Sequence, residues 1–186
     1  MNDIDRLFDA TRKSSLGGAD SISFEWWYRT ARLAFDAKDW PTALDRLARL
    51  GDLVRGDDEA RTAVLGLALT ACVLGNVPGR VETAIAQWTA GPDLYLDLLR
   101  GTVDLAATHD TRSAEMTLSL LANRLPHWPH IWAACGEHYD RLGKWALSHE
   151  AWQKASAGLG EHAVMRAGVA AMHLGEGRRA AELAAE

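Results

Sequence analysis

The chain has 186 residues, of which 48% are hydrophobic and 24% are charged, and this apolar content is sufficient for one continuous core. Its 20 basic and 25 acidic residues give a formal net charge of −5, and no basic cluster interleaves with aromatic residues, so nucleic-acid binding is not expected. No stretch approaches the roughly 20 apolar residues of a membrane span, and the first 13 residues lack the pattern of a secretory signal.

The N-terminal segment, residues 1–22, is predicted to differ from the rest of the chain. Residues 1–13 favour a short helix, and the following Ser-Ser-Leu-Gly-Gly-Ala-Asp stretch is typical of a flexible joint. The segment is therefore expected to dock on the remaining chain, to exchange with another copy or to extend into solvent.

From residue 23 onward, apolar residues recur at i, i+3, i+4 and i+7, and no run alternates with period two over the length of a strand. This pattern predicts an all-α domain over residues 23–186. The predicted helix starts are marked by Asp39, Asp57 and Asp110 as N-caps and by Pro129 in a first turn. The glycines that follow leucine, as helix-ending glycines often do, are Gly75, Gly143 and Gly175.

The two cysteines, Cys72 and Cys135, each lie inside an apolar helical segment. Free cysteine in such surroundings usually behaves as a small buried hydrophobic residue. A disulfide is therefore not expected, and a reducing cytoplasm fits the chain best.

Predicted turns between helices recur at a nearly constant spacing. They fall at Trp40, Val77, Thr111, Trp145 and Gly177, which by subtraction gives steps of 37, 34, 34 and 32 residues. This spacing predicts a repeated helical hairpin of about 34 residues.

The sequence from Trp132 onward carries the clearest motif. It reads Trp132-x-x-Cys135-Gly136-x-x-Tyr139, followed at set distances by Ser148, Trp152 and Ala155. This resembles the tetratricopeptide repeat (TPR) pattern W-x2-L-G-x2-Y…A-x3-F, with Cys135, Ser148 and Trp152 replacing the usual Leu, Ala and Phe. The same register fits an earlier segment through Trp27, Ala31, Ala34, Trp40, Ala43, Leu47 and Leu50.

The resemblance implies a right-handed superhelical stack of antiparallel helix pairs, a TPR-like α-solenoid. The implied repeats, about five in number, are residues 23–56, 57–91, 92–126, 127–160 and 161–186. Small residues such as Gly136 and Gly168 would let paired helices approach closely, and bulky ones such as Trp152 would fill the space between successive pairs. Stability would then come from stacking neighbouring pairs.

In the TPR family the first helix of each pair lines a concave groove. The implied partner-binding groove consists of Glu25, Tyr28, Arg32, Phe35, Asp36, Leu65, Leu69, Leu99, Val103, His130, Glu137, Asp140 and Arg141. Such a groove is apolar in the middle and charged at both ends, which suits an amphipathic helix or an extended segment with polar flanks. The four aliphatic members fit a buried core equally well, and both interpretations stay open.

Tryptophan is frequent, with 8 residues in the chain. The resemblance implies that Trp27, Trp132, Trp145 and Trp152 are structural residues packed between helices. Trp26 cannot fully share the helix face of its neighbour, so it is the candidate for an exposed contact.

Catalytic and metal sites have little support in the sequence. His127 and His130 flank Pro129 without a third ligand nearby, so neither a metal nor another cofactor is expected. Glu137 and Asp140 form an acidic pair that a solvated helix face explains. No phosphate-binding loop, nucleophile elbow or His-Glu-x-x-His motif occurs, and the chain is not expected to be an enzyme.

The resemblance therefore implies a cytoplasmic, bacterial-style adaptor or chaperone that holds a partner peptide or helix in its groove. Two alternatives stay open. One is a homo-oligomeric scaffold that self-assembles through its ends or its convex face, and the other is a regulatory or targeting module of a larger enzyme. The fold alone does not choose among them.

Overall fold

The structure, a computed structural model, describes residues 3–13, 21–88 and 94–184. At residues 21, 88 and 176–184 it describes the backbone alone. Ten α-helices account for nearly all of the described residues. The helices are α1 (Asp3–Lys13), α2 (Ser21–Asp36), α3 (Trp40–Leu53), α4 (Asp58–Gly75), α5 (Pro78–Trp88), α6 (Leu96–Thr108), α7 (Arg112–Arg124), α8 (Pro129–Arg141), α9 (Trp145–Leu159) and α10 (Glu161–Ala184). These residues include no β-strand, so the predicted all-α class is confirmed. None of their helices is long and apolar enough to cross a bilayer.

The chain divides into two compact units. The first comprises the described residues up to Ala106 together with Thr111–Thr117. In it, α2 packs on α3, α3 on α4 and α4 on α5, while α1 packs on α4. The second comprises Ala107–Asp110 and the chain from Leu118 onward, in which α8 packs on α9 and α9 on α10.

Local sequence signals explain several helix boundaries. Asp39 accepts a hydrogen bond from the Thr42 N–H, and Asp57 accepts one from the Ala60 N–H, as side chains at N-caps do. Pro129 begins α8, where its missing N–H is harmless. Gly143 follows α8 with a positive φ of 65°, a conformation that glycine adopts without steric penalty.

The predicted cap at Asp110 is wrong. The Ala114 N–H donates to the hydroxyl of Thr111, so the capping residue is one position later. Asp110 instead pairs with Arg141, at 3.1 Å between carboxylate and guanidinium. The carbonyl of Thr111 also accepts the first helical hydrogen bond, from the Glu115 N–H, as that of an N-cap residue does.

The predicted turn at Gly177 and the helix stop at Gly175 are also wrong, because α10 runs without interruption from Glu161 to Ala184. A glycine within a helix destabilises it by only about 1 kcal/mol relative to alanine. The surrounding Ala, Glu, Leu and Arg residues are good helix formers and can offset that amount.

Glycine supports close packing at Gly136 but not at Gly168. A Cβ atom at Gly136 would lie 2.6 Å from the ring of Trp152, so only glycine admits the indole, which is 1% exposed. At Gly168 the same atom would have no neighbour within 4 Å. The prediction of close helix approach at Gly168 is therefore wrong, since that face of α10 is open.

Four hydrogen bonds within the two units join residues at similar sequence separations, while others join residues at shorter ones, such as Arg166 to Asp140, 26 residues apart. Hydrogen bonds from Thr70 to Thr102, from Arg80 to Asp45 and from Ser113 to Asn76 join residues 32, 35 and 37 apart. In the second unit, Arg141 donates to the carbonyl of Ala107, 34 residues earlier. These separations bracket the predicted repeat of about 34 residues.

Both cysteines are buried and free, as predicted. Burial raises the pKa of each thiol to about 12, against opposing effects of Arg80 at Cys72 and Lys154 at Cys135.

At pH 8 we therefore expect a chromogenic disulfide reagent to label the native protein at neither cysteine and the guanidinium-denatured chain at both. The reason is that the thiolate fraction of each cysteine in the native protein is lower by roughly a thousandfold than that of a free thiol. Rapid labelling of either cysteine in the native protein would contradict this burial.

Candidate functional site

The helix α1 lies against the part of the first unit that the sequence assigned to a partner-binding groove. It packs on α4, and its side chains also contact residues of α2 and α6. These three helices are the first members of the three predicted hairpins 23–56, 57–91 and 92–126. The chain's own N-terminal helix therefore occupies this surface, which we call the helix-binding face.

Phe8 is the main apolar contact of α1. Its side chain is fully buried, and its ring meets those of Tyr28 and Phe35 edge-on, with centroids 5.6 and 5.8 Å away. The guanidinium of Arg32 lies 4.8 Å from the centroid of the same ring. Aromatic and cation–π contacts of this kind add to the burial of the ring area, so three predicted groove residues of α2 form the socket for one side chain of α1.

Charged pairs fix α1 at both ends. Near its N-terminus Asp5 binds Arg32 at 2.7 Å, and near its C-terminus Arg12 lies 3.6 Å from Glu25. Arg32 also contacts Asp36 at 3.2 Å. All these side chains are partly exposed, so the pairs specify orientation more than they add stability.

Tyr28 lies between the two charged pairs. Burial raises the pKa of its phenol above the ordinary value, although the nearby Arg12 guanidinium opposes the shift. The phenol therefore stays protonated at neutral pH and can pack against Phe8 and Phe24 as a neutral ring.

Two glycines inside neighbouring helices make room for α1. A Cβ atom at Gly66 of α4 would lie 2.9 Å from Leu7 Cδ2, and one at Gly101 of α6 would lie 2.7 Å from Asp3 Cγ. Mid-helix glycine destabilises a helix by about 1 kcal/mol. Both glycines are thus locally unfavourable residues at places where a larger side chain would collide with α1.

The predicted aliphatic groove residues are all buried. Leu65 and Leu69 of α4, and Leu99 and Val103 of α6, have no exposed surface. In this structure they belong to the core, one of the two interpretations that the sequence left open. A cleft of about 550 Å³ remains beside α1, lined by Arg6, Asp9, Ala10, Arg12, Lys13, Glu59 and Leu98.

The remaining predicted groove residues lie in the second unit. His130 is half-buried beside Trp128, with ring centroids 5.6 Å apart, and Glu137 is exposed. Arg141 is bound to Asp110 and to the carbonyl of Ala107.

Asp140 differs most from the prediction. Its carboxylate accepts hydrogen bonds from the Ser148 hydroxyl, from the Trp152 indole N–H at 3.0 Å and from Arg166 at 2.6 Å. The side chain is only 12% exposed. Asp140 therefore ties α8 to α9 and α10 and is neither an open groove residue nor part of a solvated acidic face with Glu137.

The tryptophan predictions are met in part. Trp26 is 51% exposed, as expected for a surface contact, and Trp152 is buried. Trp27, Trp132 and Trp145 are half-buried.

The sequence interpretation missed α1 as a component of the site. The signal was present in the face formed by Leu7, Phe8, Ala10 and Thr11, which is the buried face of α1.

Within the described residues no group of three potential ligands could hold a metal ion. Comparison of the chain with models of known families, with curated proteins and with solved structures gave no match.

Proposed function

We propose that the chain is a protein-interaction adaptor or chaperone of TPR-like architecture, and that its helix-binding face receives an amphipathic helix of a partner protein. The observation that carries this proposal is the occupation of that face by α1. A surface that holds one amphipathic helix through an aromatic socket, two charged pairs and two glycines has the features needed to hold another.

The contacts of α1 specify what the partner helix should resemble. It would carry adjacent large apolar residues matching Leu7 and Phe8, since these side chains are 2% and 0% exposed. An acidic residue one turn before them would meet Arg32, as Asp5 does. A basic residue one turn after them would meet Glu25, as Arg12 does.

A TPR-like stack, a cytoplasmic location and a non-catalytic role belong to the same proposal. The support for the stack is that four hydrogen bonds join residues 32 to 37 positions apart. A helical hairpin repeated at this period buries its apolar faces against neighbours.

The test uses the full chain and a fluorescent peptide of residues 1–13. We expect this peptide to bind the Phe8→Glu variant at least about tenfold more tightly than it binds the unchanged protein. In the unchanged protein the tethered α1 competes at an effective concentration of about 1 mM. Fluorescence anisotropy measures both affinities.

The control peptide carries Phe8→Glu itself and should bind neither protein. A second comparison reverses the first charged pair, with Arg32→Asp in the Phe8→Glu protein and Asp5→Arg in the peptide. Each change alone should weaken binding, and the two together should restore part of it. Equal affinity of the peptide for the unchanged and Phe8→Glu proteins would overturn the proposal.

A further inference from the structure

The first unit has a second cleft, of about 440 Å³, which shares no residue with the contacts of α1 described above. Its lining consists of Trp27 from α2 and of Asp45, Arg46, Ala48, Arg49 and Asp52 from α3. Sites for small molecules have volumes of about 300 to about 1,000 Å³. The cleft is therefore large enough for a small organic ligand.

The two carboxylates of this cleft are already paired with basic residues outside its lining. Asp45 binds Arg80 of α5 at 2.8 Å, and Asp52 binds Arg55 at 2.8 Å. Because each carboxylate has its own guanidinium partner, neither is needed to balance the basic residues of the lining.

The two guanidiniums of the lining lack such partners. Among the described side chains, neither Arg46 nor Arg49 forms an ion pair or donates a hydrogen bond. Residues at i and i+3 are neighbours on a helix surface, so these two cations lie side by side on α3. Adjacent like charges repel each other, and an anion bound between them would replace this repulsion with attraction. The cleft therefore favours an anion of more than one charge.

Two indoles hold one of these guanidiniums in place. The guanidinium carbon of Arg46 lies 5.1 Å from the ring centroid of Trp27 and 5.2 Å from that of Trp26. A cation–π contact orders the side chain and leaves its positive charge without a counter-ion. Trp27 is half-buried and also gives the cleft an aromatic wall.

Phosphate matches these features better than carboxylate does. Guanidinium groups bind the oxygens of either anion through paired N–H donors. A phosphate monoester carries a charge of about −1.5 to −2 at neutral pH, which two guanidiniums can balance. An aromatic ring attached to the phosphate can pack against the indole of Trp27.

We propose that this cleft binds a phosphate monoester with an aromatic organic part, with the phosphate between Arg46 and Arg49 and the ring against Trp27. The proposal concerns residues outside the helix-binding face and stands independently of the proposed function.

The experiment is a titration of phenyl phosphate with the full chain, followed by phosphorus NMR at about pH 7.5, where the phosphate is a dianion. We expect a saturable change of the resonance with a dissociation constant on the order of 1 mM or lower. Arg46→Gln and Arg49→Gln should each weaken binding by at least about tenfold, because each removes charge-assisted hydrogen bonds. Arg49→Lys keeps the charge without the paired donors, so its loss should be smaller.

Arg29→Gln is the charge-matched control, because Arg29 is exposed, lies outside the cleft and is paired with Glu25 at 2.7 Å. It should leave the affinity for phenyl phosphate unchanged. Asp52→Asn removes a negative charge from the lining and should tighten binding. Inorganic phosphate has no ring to pack against Trp27 and should bind more weakly than phenyl phosphate.

Three results would overturn the proposal. The first is the absence of saturable binding to the unchanged protein. The second is an equal loss of affinity in Arg29→Gln and Arg49→Gln, which would indicate attraction by the overall charge and not by the cleft. The third is inorganic phosphate that binds as tightly as phenyl phosphate.

Discussion

Replacing Phe8 with alanine is expected to release α1 from the helix-binding face while the rest of the first unit remains folded. Truncation of a fully buried phenylalanine destabilises the packed state by about 3–5 kcal/mol, through lost transfer free energy and the cavity left behind. Because α1 contacts the rest of the first unit through one buried face, we expect the loss to appear as local undocking. Arg6, Arg12 and Lys13 make α1 a substrate for trypsin once it is released.

Limited proteolysis measures this release directly. The rate of tryptic cleavage within α1 should rise by about 100-fold or more, since each 1.4 kcal/mol of undocking free energy changes the open population tenfold. The matched control is Tyr95→Ala, an aromatic truncation at a residue that is 49% exposed. An unchanged cleavage rate in the Phe8 variant would show that the socket formed by Tyr28 and Phe35 does not hold α1.

Asp140→Ala is expected to produce the largest loss of stability in the second unit. It removes the shared acceptor of Ser148, Trp152 and Arg166 and leaves a buried indole N–H and a guanidinium without their partner. Leaving a buried donor such as the Trp152 N–H unsatisfied destabilises a protein by about 1–3 kcal/mol, and the released Arg166 side chain, already 37% exposed, is solvated by water. The expected free energy of unfolding, measured by urea titration of tryptophan fluorescence, falls by about that amount.

Glu137 provides a control on the same helix. Its side chain is exposed, and Glu137→Ala should change the free energy of unfolding by less than about 0.5 kcal/mol. Asp140→Asn keeps the shape and one acceptor, so its loss should be intermediate. If Asp140→Ala and Glu137→Ala had the same small effect, the solvated acidic face predicted from sequence would be correct after all.

Three helix starts were predictable because their causes are local. Asp39, Asp57 and Pro129 each act on backbone groups within three residues, and their positions can be read directly from the sequence. The turn predicted at Gly177 failed because glycine only weakens a helix, and neighbouring helix formers can offset that weakening.

The site was less predictable because its contacts are long-range. The TPR resemblance assigned Tyr28, Arg32 and Phe35 to a groove, and in the structure all three contact Phe8. That α1 would cover this face could not follow from the repeat template, which contains no such helix. The sequence feature that could have indicated a helix packed on this face is the pair Gly66 and Gly101, since each is an unfavourable residue within an otherwise favourable helix.

Asp140 illustrates a second limit of sequence interpretation. Its spacing from Glu137 suggested a common solvated face, yet residues at i and i+3 are offset by 60° around a helix. That offset turns Asp140 toward α9 and α10, where Ser148, Trp152 and Arg166 converge on it. Only the packing of three helices determines which acidic residue becomes buried.

Amide hydrogen exchange of residues 3–13 in the full chain, with and without excess peptide of residues 1–13, tests the central claim most directly. We expect these amides to be protected in the unchanged protein and to lose protection as the peptide displaces α1, while those of α4 stay protected. Amides of α1 that exchange at the rate of an unfolded peptide from the start, or that keep full protection at saturating peptide, would contradict an exchangeable helix on this face.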